Sequence, residues 1–199
     1  MFSIYGKDGW EDERVEFKDW PSIKPTLPLR FMPLLTLPDG RKLHQADAME
    51  RWAGKACGLY PADPDEALFV DEMISTVYEA RAKAPRPSSV VTKEMLPELW
   101  KEFTEDTMKM YFDYIQERMI GPFFRGAQLT VADLTLFMLV STFVNGEIPF
   151  VHYSYVDGWP CIKAHYAAVQ AHPLVQAYDA AYTAASDAVS QVKDQVGKM

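Results

Sequence analysis

The chain has 199 residues, 48% of them apolar and 13% aromatic, enough to bury a core as one body or two small ones and too apolar to stay disordered. Twenty basic against twenty-eight acidic side chains leave a formal charge of −8, which repels nucleic acid and anionic lipid surfaces and speaks against both as main partners. The longest apolar run, Leu134 to Val144, is too short to cross a bilayer, and Asp8 and Glu11 arrive before a signal peptide's apolar stretch could form, so the expected address is the cytosol.

Near the N-terminus, Val15-Glu16-Phe17 alternates as a half-buried strand should. Leu34-Leu35-Thr36-Leu37 is an apolar run closed by Pro38-Asp39-Gly40 before Lys42-Leu43, which predicts a small hairpin. From Gln45 the spacing lengthens to a helix, with Ala48, Met49, Trp52, Ala53 and Ala56 on one face and Gly58 as a left-handed stop. The character changes at Tyr60-Pro61-Ala62-Asp63-Pro64, so a mixed domain over 1–60 precedes an all-helical one over 64–199, an α+β chain.

In the second part, Asp63-Pro64-Asp65-Glu66 caps a helix that runs to about Lys83, with an apolar stripe of Leu68, Val70, Met73, Ile74 and Val77. Pro85 and Pro87 break the chain, and a second long helix is expected from Lys93 to Met119, carrying Leu99, Trp100, Phe103, Met110, Tyr111 and Tyr114. Gln128-Leu129-Thr130-Val131-Ala132-Asp133-Leu134 supplies a capping box between Thr130 and Asp133 and a staple between Leu129 and Leu134, opening the most apolar helix of the chain. Segments from Pro160 to Gln170 and from Pro173 into an alanine-rich tail complete a bundle.

Cys57 and Cys161 have no CxxC spacing and are expected to be buried free thiols, while His44, His152, His165 and His172 show no metal-binding pairing. No phosphate-binding or dinucleotide-binding glycine loop occurs, so metal and nucleotide chemistry have no sequence support. Met32-Pro33 lies just before a strand, where a cis proline would turn backbone groups outward to grip an extended ligand. Gln45-Ala46 sits at a helix start, where free amides attract a carboxylate.

The succession Asp19-Trp20-Pro21-Ser22-Ile23-Lys24-Pro25, Met32-Pro33, Leu43-His44-Gln45 and the Thr130/Asp133 cap, in this order and spacing, resembles the glutathione transferases, most of all the sigma class, over nearly the whole chain. The resemblance implies a thioredoxin-like N-terminal domain, an all-helical C-terminal domain and a homodimer. It implies that Trp20 and Lys24 hold the glycine end of glutathione, that Met32 ahead of cis Pro33 pairs its backbone with the cysteinyl part, and that Gln45 and Ala46 receive the γ-glutamyl end. Glutathione is then the co-substrate, with no metal, and small hydrophobic electrophiles are the second substrates. Met73, Tyr78 and Trp100 are candidates to line the second site, although residues at helical spacing are more often core.

Three departures from the family pattern qualify the expectation. Tyr5 to Glu11 aligns with the end of the family's first helix, so the tyrosine-bearing first strand has no counterpart, Met1 reads as an internal methionine of a longer protein, and no residue is assigned as catalytic. Ala46 stands where the family has a serine that contacts the γ-glutamyl carboxylate, and Ser75 stands near a usual acidic position, with Glu79 one turn on. The leading expectation is glutathione conjugation or glutathione-dependent isomerisation in detoxification; the alternative is a non-catalytic binding or structural protein of the same fold.

Overall fold

The computed structural model of the chain describes residues 13–180, which fall into two compact units dividing between Gly58 and Leu59. In the first unit the strand expected at Val15-Glu16-Phe17 does not form. Glu16 O instead accepts from the amides of Asp19 and Trp20 at 3.0 and 3.2 Å, which turns the chain into a short helix, α1 (Trp20–Ile23), with Pro21 in its first turn. The turn leaves Phe17 97% exposed. A 3-10 turn, Lys24–Thr26, continues α1, and Thr26 Oγ1 donates to Ile23 O at 2.7 Å.

The hairpin forms as the Pro-Asp-Gly signal predicts. Strands β1 (Leu35–Thr36) and β2 (Lys42–Leu43) are antiparallel, with Leu35 opposite Leu43 and Thr36 opposite Lys42. Gly40 takes φ +84°, a conformation that favours glycine, and Asp39 closes the turn by accepting from Arg41 N at 3.0 Å and Arg41 Nε at 2.7 Å. Helix α2 (Ala46–Ala56) follows and ends at Gly58, φ +72°. Met49 and Ala53 are buried as their spacing predicts, but Ala48, Trp52 and Ala56 are exposed. Periodicity marks which face is apolar; it does not supply what covers that face.

Apart from an isolated antiparallel bridge between Phe123 and Gly126, the regular elements among the described residues of the second unit are helical. Helix α3 (Pro64–Ala82) starts as predicted: Asp63 Oδ1 accepts from Asp65 N at 3.1 Å and Glu66 N at 3.0 Å. Val70, Met73, Ile74, Val77 and Ala80 are buried, whereas Leu68 points away from that face and is 67% exposed.

The helix expected from Lys93 to Met119 is divided. A 3-10 turn (Lys93–Met95) leads into α4 (Leu96–Glu102), a π-helical turn over Phe103–Thr107, and α5 (Met108–Glu117). Thr104 Oγ1 donates to Trp100 O at 2.9 Å and Lys101 O at 3.0 Å beside the widened turn. One extra residue shifts the helix phase by about 100°. The core face of α5 is therefore Met108, Tyr111, Phe112 and Ile115, and Met110 is 56% exposed.

Helix α6 (Val131–Val144) is buried on almost every side and packs against α3 and against α7 (Pro160–Gln170). Its capping box is formed as expected. Ile162, His165 and Val169 face inward from α7, which places Cys161 on the outer face: it is exposed and Cys57 is half-buried, neither in a disulfide, where buried thiols were expected. The helix from 173 runs to 180; the rest of the alanine-rich tail lies outside the described residues. Among the described residues no helix is long and apolar enough to cross a membrane.

Candidate functional site

In an antiparallel ladder that pairs Leu35 with Leu43, the residues two places before the first and two places after the second lie at the same end. That end carries Pro33 and Gln45. The Met32–Pro33 bond is cis, as expected from the sequence. Met32 is 42% exposed, and its backbone N–H and C=O have no partner among the described residues, so an extended peptide could add there as a strand.

Gln45 holds φ 77° and ψ 101°, in the region that favours glycine, directly before the first turn of α2. No described side chain caps that turn. Its one acidic residue, Asp47, faces along the helix and pairs with Arg51 at 3.1 Å. The first-turn amides are therefore free for an anion. Ala46 lies at this turn, half-buried, with no hydroxyl to offer.

Trp20 and Lys24 stand upstream, on α1 and the turn after it, half-buried and exposed respectively. Among the described residues no hydrogen bond ties either to Met32 or Gln45. His44 has a place that its spacing did not signal: both ring nitrogens are buried without a hydrogen-bond partner, and the ring packs on Phe31 with centroids 5.3 Å apart.

Of the second-unit candidates, Met73 is buried in the core, which removes it as a pocket residue. Tyr78 and Trp100 are half-buried and Ser75 is exposed. Glu79 pairs with Lys83 at 3.3 Å along α3, which raises the Lys83 pKa.

Several charged groups elsewhere in the second unit are paired. Tyr114 donates its hydroxyl to Glu72, and the Arg118 guanidinium lies 3.3 Å from the centre of the Tyr114 ring. The bond to Glu72, then burial, raises the Tyr114 pKa. Arg125 grips Glu66 with two bonds, Nε at 2.8 Å and Nη2 at 2.9 Å, while its guanidinium covers the Phe69 ring at 4.2 Å. That grip holds the Glu66 carboxyl below its ordinary value. Among the described residues no cluster of three or more His, Cys, Asp or Glu could hold a metal ion.

Comparison with known proteins places these features in a family. The family model described as "Glutathione S-transferase, C-terminal domain" matches residues 82–181. A glutathione S-transferase of Anopheles gambiae is 36% identical over 102 residues, covering 49% of this chain and 50% of that protein. The chain spans half or less of the length of the first curated relatives it matches. Among solved structures, the monomeric Na-GST-3, a glutathione S-transferase of Necator americanus, superposes with a TM-score of 0.76 at 26% identity, covering 90% of this chain and 87% of that one. Prostaglandin synthase D of Nilaparvata lugens gives 0.74 at 26% identity, covering 88% and 86%. The small sheet with its helices is the thioredoxin-like domain of this fold and the α3–α7 unit its helical C-terminal domain. The chain belongs to the glutathione S-transferase family.

Proposed function

We propose that this chain binds glutathione at the open end of the β1–β2 hairpin and acts as a transferase of sigma-like type, joining the glutathione thiol to small apolar electrophiles or using it to isomerise them. The observation that carries the reading is Gln45, held at φ 77° before an uncapped helix start. Backbone strain of this kind persists where a ligand clamp needs it.

Each part of the tripeptide has a matching group. The γ-glutamyl carboxylate meets the α2 amides beside Gln45 and Ala46. The cysteinyl unit pairs with the free backbone of Met32 ahead of Pro33. The Trp20 indole N–H and the Lys24 ammonium take the glycyl carboxylate. The thiol gives its proton to solvent; the sulfur then bonds to an electrophilic carbon as the leaving group departs with its electron pair, or the sulfur adds and is later expelled as the thiolate in an isomerisation. No described residue is assigned to activating the thiol. Cytosolic detoxification as a homodimer completes the reading, with the exposed Leu68 of α3 available for a second copy.

A second reading, glutathione binding without conjugation, is favoured by Ala46, which lacks the hydroxyl that the family's serine supplies. Calorimetric titration with glutathione, followed by turnover of 1-chloro-2,4-dinitrobenzene, separates the two. Binding with turnover supports the transferase, and binding alone supports the second reading. No binding, or a Lys24→Gln variant with unaltered affinity, refutes the site itself.

A further inference from the structure

Among the described residues, two other than glycine hold a positive φ, Arg30 at 55° and Gln45 at 77°. Each is the chain neighbour of one member of a single ring pair: Arg30 precedes Phe31, and Gln45 follows His44. The Phe31 and His44 rings meet with centroids 5.3 Å apart and planes inclined at 58°, within the range at which aromatic pairs attract. Backbone strain at two such residues persists only where the surroundings over-determine it, and the ring pair lies directly between them.

The pair also spans a gap in the main-chain bonding. The ladder ends with Leu35 opposite Leu43, and past it no main-chain hydrogen bond among the described residues joins residues 31–34 to His44 or Gln45. Met32 and Gln45 are therefore carried by two segments beyond the end of the sheet, with the Phe31–His44 contact between those segments. His44 supplies shape there and no hydrogen bond, since both ring nitrogens are buried without a partner. A donor and an acceptor left unpaired weaken folding, so an apolar ring would fold more stably at this position. The buried nitrogens are also out of a ligand's reach, which leaves Phe31 and Gln45 as the route by which His44 acts on binding.

We propose that His44 is a positioning residue: its ring, set on Phe31, fixes the separation between the Met32 backbone and the Gln45 turn, so that one tripeptide meets both at once. This rests on the glutathione reading given above. A site whose two halves already stand at the bound distance does not have to be ordered by its ligand, whereas halves free to drift lose affinity to that ordering.

Calorimetric titration of glutathione into the parent chain, His44→Ala, Phe31→Ala and the double variant tests the proposal. Each single substitution is expected to weaken binding about tenfold, and the double variant is expected to lose little more than either single, because both remove one shared contact. His44→Phe puts a ring back and is expected to restore most of the affinity lost in His44→Ala. Unchanged affinity in either single variant, fully additive losses in the double, or a His44→Phe chain as weak as His44→Ala overturns the proposal. A parent chain that does not bind glutathione overturns the site itself and this inference with it, a result distinct from the others. Phe31 is 38% exposed, so Phe31→Ala decides even if His44→Ala fails to fold.

Discussion

His165 Nε2 donates to Asp133 Oδ1 at 2.9 Å, joining α7 to the first turn of α6 where neither side chain is exposed. The same carboxylate accepts from Phe124 N at 2.6 Å and from Thr130 N and Thr130 Oγ1 at 2.7 Å each. Four donors from three parts of the unit therefore meet on one side chain. His165 Nδ1 is buried without a partner, which places the ring's proton on Nε2, since a carboxylate cannot donate.

Asp133→Asn turns one of those acceptors into a donor that faces other donors. The expected loss is about 3–5 kcal/mol, the range for breaking one side of a buried charged network. Urea denaturation checks it, and a variant within about 1 kcal/mol of the parent contradicts the role given to this carboxylate.

The Arg125–Glu66 pair makes stability depend on pH. Because the bond to Arg125 holds the folded Glu66 pKa below its ordinary 4.5, its contribution is fully present above that value and is lost as pH falls through the folded pKa. The gap between the urea midpoints of the parent and Glu66→Gln is therefore expected to be constant near neutrality and to close below about pH 4.5. A gap that persists unchanged in acid contradicts the assignment.

Ala46→Ser restores a hydroxyl at the start of α2. One hydrogen bond to a carboxylate contributes about 1.5–3 kcal/mol, so glutathione affinity is expected to rise about ten- to a hundredfold. Calorimetry on the two chains reads the change directly; unchanged affinity would mean that the γ-glutamyl end lies elsewhere.

Tyr155 packs between Phe112, Phe143 and Trp159, with centroids 5.0 to 6.1 Å away. Its hydroxyl donates to Thr104 O in the π-helical turn at 2.6 Å. Burial, then the nearby Asp113 charge, pushes its pKa upward, so it stays a neutral donor through the working pH range. Tyr155→Phe leaves that carbonyl short of a partner and is expected to cost about 1–2 kcal/mol by thermal or urea unfolding, with the packing retained. A loss well above that range would instead point to the aromatic contacts.

The elements legible in the sequence are those made by bonds within a few residues. Asp63 meets amides two and three places on, Thr130 and Asp133 close their box across three, and Gly40 and Gly58 mark chain reversals that side chains disfavour. The ordered motifs from Trp20 to Asp133 likewise carry the family resemblance and name the residue types of the candidate site. What the sequence determined by itself, then, was its helix starts, its hairpin turn and its kinship, because each depends on near neighbours or on order along the chain.

The tertiary structure decided the rest. Val15-Glu16-Phe17 alternates like a strand, yet without a described partner strand its amide neighbours form a turn instead. The π-helical turn rotated Met110 out of the core although the apolar spacing ran on through it. The partners of Asp133 and Glu66 lie 32 and 59 residues away in His165 and Arg125, separations at which no periodicity operates. Gln45 and Ala46 could be named from the sequence, but the strain at Gln45 and the uncapped turn beside it exist only once β2 and α2 constrain the backbone between them.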